Sequence, residues 1–140
     1  MILIDSSVWI ESLRRDGLPT VRKTLQKILD NDDAATCDAV RLEVIGAARE
    51  TERSKLLHRF FLLHHLPEPD KFCELCIRTN WKLRDGGLTL PWMDVMIASM
   101  ALHHGTPVFT LDRHFISASR ILEVKVHFKA VPGSYSYPML

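Results

Sequence analysis

Short, wholly apolar runs alternate along this chain with longer stretches in which apolar side chains return every three or four residues. The run "ILID" at 2–5 shows no polar alternation, which predicts a strand buried on both faces of a parallel sheet. "SVWIESLRR" (7–15) predicts a helix that Ser6 or Ser7 caps and that ends near Gly17. "TVRKTLQKILDN" (20–31) places Val21, Leu25, Ile28 and Leu29 at helical spacing. "AATC" (34–37) reads as a short strand, and "DAVRLEVIGAARE" (38–50) as a helix with Asp38 at its N-cap. Further helices are predicted at 54–66, ended by "PEP", and at 70–84, stopped by Gly86-Gly87. "PWMDVMIASMALHHG" (91–105) has proline at its start and glycine past its end, the usual asymmetry of a helix. "PVFTLD" (107–112) reads as a strand, "RHFISA" (113–118) as a helical turn, and "EVKVHF" (123–128) as a last strand.

Alternating strands and helices predict an α/β domain with a mostly parallel central sheet flanked by helices and right-handed crossovers. No repeat or low-complexity linker divides the chain, so residues 1–140 read as one domain, with an irregular tail over about 130–140.

Four acidic residues break this pattern. Asp5 and Asp112 terminate apolar runs, and in open α/β sheets ligands bind beyond the carboxyl ends of the strands. Glu43 falls inside the stripe formed by Val40, Val44, Ala47 and Ala48, and Asp94 sits at helical spacing from Ile97, Ala98 and Ala101. A carboxylate on a core face is costly unless it is paired, protonated or bound to a metal. Structural explanations exist for three of them. Asp5 and Asp112 could each be a cap at the end of a strand, and Asp94 could serve the first turn of its helix. Glu43, in mid-helix, has no capping role. Asp38 directly succeeds a strand and opens a good helix, and is assigned to capping.

Composition narrows the chemistry. Hydrophobic residues make up 46% and charged residues 25% of 140 residues, which fits one globular domain. Lys+Arg (18) and Asp+Glu (17) nearly balance, so bulk charge suggests no polyanion partner and any basic surface is a local patch. Yet four acids meeting at one rim need a cation among them. Oxygen-only ligands select Mg²⁺ or Mn²⁺ over Zn²⁺, and Mg²⁺ commonly takes phosphate oxygens as its remaining ligands. Phosphodiester hydrolysis is the natural chemistry of such a site. No apolar run approaches the ~18 residues of a membrane span, and the start lacks the features of a secretory signal. Cys37, Cys73 and Cys76 form an odd set without framework spacing, which predicts a reducing, cytoplasmic setting.

With these residues assembled, "ILIDSSVWI", Glu43 and "DVMIASMALHHGTPVFTLDRHF" together resemble a PIN-domain nuclease, most closely the VapC-type toxins of toxin–antitoxin pairs. The resemblance runs over essentially the whole domain. It implies an acidic catalytic and metal site at Asp5, Glu43, Asp94 and Asp112, with Ser6 and Thr110 in the small hydroxyl positions that support those carboxylates. It also implies a Mg²⁺- or Mn²⁺-dependent endoribonuclease, usually homodimeric and held inactive by a small antitoxin protein, with RNA as substrate. One departure stands out: many relatives carry an aspartate two residues after the fourth acid, where this chain has His114. The alternative reading is a catalytically idle PIN-like module that binds RNA or protein; a flap-type DNA nuclease would need helical elements for which this length leaves little room.

Other features have plainer readings. "CELC" sets Cys73 and Cys76 one helical turn apart, which without a second pair predicts packing against the core. The paired histidines lack HExxH spacing and read as helix-end decoration. Among the basic residues, Arg14, Arg15, Lys23, Arg41, Arg49, Arg53 and Arg113 are candidate phosphate contacts, Arg113 foremost because it adjoins Asp112. Trp9 reads as core or interface, and Trp92 as a base-stacking candidate.

Overall fold

The computed structural model describes residues 1–128. The elements run β1 (Ile2–Ile4), α1 (Ser6–Leu13), α2 (Pro19–Asp30), β2 (Ala34–Thr36), α3 (Asp38–Ile45), α4 (Arg53–Phe61), β3 (His64–His65), α5 (Phe72–Asp85), α6 (Trp92–His104), β4 (Val108–Thr110), α7 (His114–Leu122) and β5 (Val126–Phe128). The strands form one sheet in the order β3-β2-β1-β4-β5. All four pairings are parallel, with Leu3 opposite Ala35 on one side and Val108 on the other. Parallel neighbours need crossovers, and here every crossover contains at least one helix. The expected α/β architecture is therefore the observed one.

Leu3, Ile4, Ala35 and Val108 are fully buried, as continuous apolar runs in a covered parallel sheet should be. Around them Trp9, Leu25, Leu83, Ile97, Met100 and Phe115 complete the core. Trp9 belongs to that core, with its ring 4.7 Å from the Phe60 ring and the Arg59 guanidinium 5.7 Å from its centroid. α6 has the bounds its flanks predict: Pro91 is the N-cap, and Gly105 takes the left-handed conformation at φ +60°. Buried Glu11 joins α1 to α2 by accepting the Leu18 N–H at 3.0 Å.

Several boundaries differ from the sequence reading. α3 stops at Ile45 rather than Glu50, leaving Ala47 exposed and Glu50–Glu52 as a single 3₁₀ turn. Gly46 is the turning point: a Cβ there would lie 2.2 Å from the Leu42 carbonyl oxygen. The helix predicted at 54–66 ends at Phe61, and His64–His65 pair instead with Ala35 and Thr36. The open edge of β2 has backbone groups to satisfy, and this outweighs helical periodicity. α7 is a nine-residue helix rather than a turn, ended by Glu123 at φ +59°. Ser6 and Ser7 lie inside α1, whose N-cap is Asp5, and Cys37 rather than Asp38 is the N-cap of α3. The predicted tail at about 130–140 lies outside the described residues.

Trp9 offers a test of the core. Its Nε1 is buried and has no hydrogen-bond partner among the described residues. Trp9→Ala is expected to cost about 3–5 kcal/mol. Trp9→Phe, which removes the unpartnered N–H with part of the volume, should cost roughly half as much. Urea midpoints at unchanged slope would measure both.

Candidate active site

The sheet brings the carboxyl ends of β1 and β4 side by side, and the four acids gather around them. Asp5 leaves β1 with its N–H bonded to the Phe109 carbonyl at 2.9 Å. Its side chain is buried, and Oδ2 accepts from Ser7 Oγ at 2.5 Å and from Thr110 Oγ1 at 2.9 Å. Those hydroxyls in turn accept backbone N–H groups, Leu111 on Ser7 at 3.1 Å and Asp112 on Thr110 at 3.0 Å. Asp112 lies directly past this point, with Oδ1 held by the His114 backbone N–H at 2.9 Å.

Glu43 reaches the same rim from α3, which packs against both α1 and α6. Ser6 Oγ donates to its Oε1 at 2.9 Å. The predicted supporting residues Ser6 and Thr110 thus hold different acids, Glu43 and Asp5. Ser7, read from the sequence only as a cap, is the second support of Asp5. The signal was present, since a serine two residues after a strand-end aspartate can turn its hydroxyl back onto it. Asp94, half-buried in the first turn of α6, completes the group.

The four acids interact electrostatically. Burial pushes Asp94 up to about 8, reinforced by the charges of Asp5, Asp112 and Glu43 in that order. Asp5 is raised by burial, which prevails over the Ser7 and Thr110 hydrogen bonds, with Asp112 adding to the rise. Glu43 is raised by burial against its Ser6 hydrogen bond, with Asp5 adding to the rise. This is the behaviour of a site that concentrates negative charge.

The donor chemistry fits a hard divalent cation, being all carboxylate and hydroxyl oxygen. Among the described residues, no group of three or more His, Cys, Asp or Glu side chains is arranged to hold an ion as it stands. Mg²⁺ does not require such a cage. It usually keeps several waters and takes one or two carboxylates directly.

Other candidates fall elsewhere. Asp38 is exposed, and its Oδ1 meets His65 Nε2 at 3.0 Å and Arg41 at 3.2 Å. Those partners outweigh the burial that would raise it, and its carboxyl is lowered. Its capping role is corrected accordingly: it makes no capping bond and pairs with Arg41 and His65 instead. Cys37 is buried, and burial pushes its thiol up to about 11. The expectation that "CELC" packs inward holds for Cys76, which lies against the core, but not for Cys73, which is exposed on the outer side of α5. Arg14 and Arg41 are paired with carboxylates, while Arg113 is exposed at the start of α7. Trp92 is 72% exposed at the first position of α6, two residues from Asp94.

A parallel α/β sheet with carboxylates converging at one rim defines a class of acidic-site α/β domains. The chain belongs to the PIN domain family, whose match covers residues 2–121. It is 29% identical over 124 residues to the Mycobacterium tuberculosis protein named ribonuclease VapC21, covering 86% of this chain and 90% of that one. Its fold matches a chain of VapBC2 from Rickettsia felis, solved bound to a DNA fragment from their promoter. The TM-score is 0.73 at 16% identity, covering 92% and 99% of the two chains. It also matches a chain of a toxin–antitoxin complex from Klebsiella pneumoniae, with a TM-score of 0.66 at 15% identity over 81% and 88%.

The raised Asp94 value sets the pH behaviour of the metal-free protein. Between its ordinary 3.8 and about 8, the folded protein holds a proton that the unfolded chain has released. Stability should therefore fall as pH rises through that window and level off above it. Melts in EDTA are expected to be lower near pH 8 than near pH 6. Asp94→Asn should flatten that slope and melt above wild type at the higher pH. Identical slopes would remove Asp94 as the source.

Proposed function

We propose that the protein is a Mg²⁺-dependent (or Mn²⁺-dependent) endoribonuclease that acts as the toxin of a toxin–antitoxin pair. The observation that carries this reading is the convergence of Asp5, Glu43, Asp94 and Asp112 on one rim, with Asp94 driven up to about 8. Relatives named ribonucleases, and structural neighbours solved as toxin–antitoxin complexes, support it.

In this reading the acids have divided roles. Asp5 and Asp94 would be the principal metal-holding carboxylates, Asp5 fixed by two hydroxyls and Asp94 placed in the first turn of α6. Glu43 and Asp112 complete the negative field that would hold the cation in place. A bound Mg²⁺ supplies a water of lowered pKa and stabilises charge on the attacking and leaving oxygens of the phosphodiester. Exposed Arg113 meets the RNA phosphate, adding salt-dependent affinity without sequence choice. Trp92 stacks on a base near the scissile bond.

The antitoxin is a small protein whose apolar and basic side chains enter this rim, an arginine approaching the carboxylates. The outer surface of α4 supports a protein partner: Phe61 is 84%, Leu62 66% and Leu57 50% exposed. Clustered large apolar side chains of this kind mark interaction surfaces. A homodimer and a cytoplasmic setting complete the reading. The second reading, an idle RNA- or protein-binding module, leaves unexplained why four mutually repelling carboxylates are kept together.

Purified protein freed of antitoxin should cleave RNA with Mg²⁺ and not with EDTA. Asp94→Asn is expected to lower the rate by at least about a hundredfold while remaining folded, as for loss of a group acting in the transition state. Asp38→Ala, outside the rim, should cleave like wild type. RNA left intact by wild type in both Mg²⁺ and Mn²⁺ would favour the idle module. Expression alone should slow growth, and co-expression of the antitoxin should relieve it.

A further inference from the structure

The fold divides the three cysteines into one and a pair. Cys37 is buried at the start of α3, whereas Cys73 and Cys76 lie one turn apart near the start of α5. Cys73 is exposed, and Cys76 is partly buried against the core. Three residues of an α-helix separate two Cα atoms by about 5 Å. That lies inside the roughly 4.4–6.8 Å across which disulfides form. A regular helix holds the two Cβ atoms farther apart than the bond prefers, so closing it requires the turn to tighten. The start of α5 is the part of the helix that yields most easily. Its N-cap, Lys71, is a non-glycine residue in the left-handed region at φ +56°, and its side chain makes no capping bond. The preceding segment, 66–71, is neither helix nor strand and contains Pro67 and Pro69.

We propose that Cys73 and Cys76 form a reversible disulfide, a redox modification site apart from the acidic rim, with a small disulfide of the glutathione class as oxidant. Exposed Cys73, as its thiolate, attacks one sulfur of that disulfide, forms a mixed disulfide and releases one thiol. Cys76, one turn away, gives its proton to solvent and attacks the Cys73 sulfur, which releases the second thiol. The pair thus loses two electrons and two protons, and the oxidant takes them up as two thiols. The second step is intramolecular, so it competes well with any small thiol in solution. The environments suit this order. Burial raises the Cys76 thiol against the opposing Ser99 hydroxyl, and neighbouring Cys73 adds to the rise, so the half-buried sulfur waits protonated while the open one reacts. Cys37, fully buried on another helix, takes no part. α5 packs on α6 and is joined to it by the short connection 86–91, which makes the two antiparallel. The cysteines therefore lie toward the end of α6 remote from Asp94.

The test reads mass and needs no nuclease activity. The full chain would be held in glutathione buffers of graded reduced-to-oxidised ratio, quenched in acid, alkylated in denaturant and digested with trypsin. Cleavage after Lys71 and Arg78 leaves both cysteines in one peptide, 72–78, whose mass reports the bond directly. The expected product is that peptide lighter by two hydrogens and unalkylated, with Cys37 alkylated throughout and dithiothreitol reversing the change. Cys76→Ser should stop at glutathione on Cys73, and hold at least about tenfold more mixed disulfide than wild type. Cys73→Ser, which keeps only the shielded sulfur of the pair, should stay unmodified. Wild type that accumulates glutathione on Cys73, as Cys76→Ser does, would overturn the proposal. So would two chains joined through Cys73, or an unchanged peptide at the most oxidising ratio. Wild type alone decides between these outcomes, so a variant that fails to fold leaves the answer intact.

Discussion

A carboxylate can occupy the buried end of a central strand only if it is hydrogen-bonded, and Asp5 meets that condition through Ser7 and Thr110. Each hydroxyl has one proton to give, and both give it to the same carboxylate oxygen. Their lone pairs then take the Leu111 and Asp112 backbone N–H groups, where β4 ends and the chain turns toward α7. The contacts that make Asp5 tolerable are thus the contacts that close the rim. Removing the acid would leave two hydroxyls without their acceptor, and removing either hydroxyl would loosen the loop that presents Asp112. Fold and site share one set of atoms here.

Two aspartates one strand apart show how strongly partners decide the state of a carboxyl group. Asp5 ends β1 among other acids and is raised by burial. Asp38 comes after β2, lies in the open, and meets His65 and Arg41, which hold it down. The first arrangement spends stability to keep charge waiting, and the second gains a little from pairing at the surface. Natural sites that concentrate like charge are stabilised elsewhere in the fold. In this chain that support comes from the central strands and the helices packed on them, where Leu3, Ile4, Val108 and Ile97 are fully buried.

How much of this was legible in the sequence depended on whether the deciding force was local. The unbroken apolar runs identified β1 and β4, and Pro91 and Gly105 bounded α6, because those signals act within a turn or a strand. β3 was not legible: two histidines become a strand only because β2 offers an open edge beside them. The end of α3 was hidden because Gly46 sits before two alanines that prolong a helical pattern. The four acids stood out as misfits on apolar faces, though for Glu43 part of that argument was mistaken. Ala47 is exposed, and the group that orients Glu43 is Ser6, 37 positions away in sequence. Ser7 was overlooked because a serine after a strand reads locally as a cap, although its partner Asp5 lies only two residues away. The outward face of Cys73 likewise depends on how α5 lies against α6, which spacing alone does not fix.

The strand order has a consequence in time as well as in space. β1 is synthesised before the other strands, yet it lies in the middle of the sheet between β2 and β4. Asp5 and the Thr110 hydroxyl that holds it are 105 residues apart. At roughly 5–20 residues per second, a growing chain spends several seconds with its first acid made and the far half of its site absent. During that interval the rim does not exist. The ribosome that makes the chain has translated most of the domain before these carboxylates can meet.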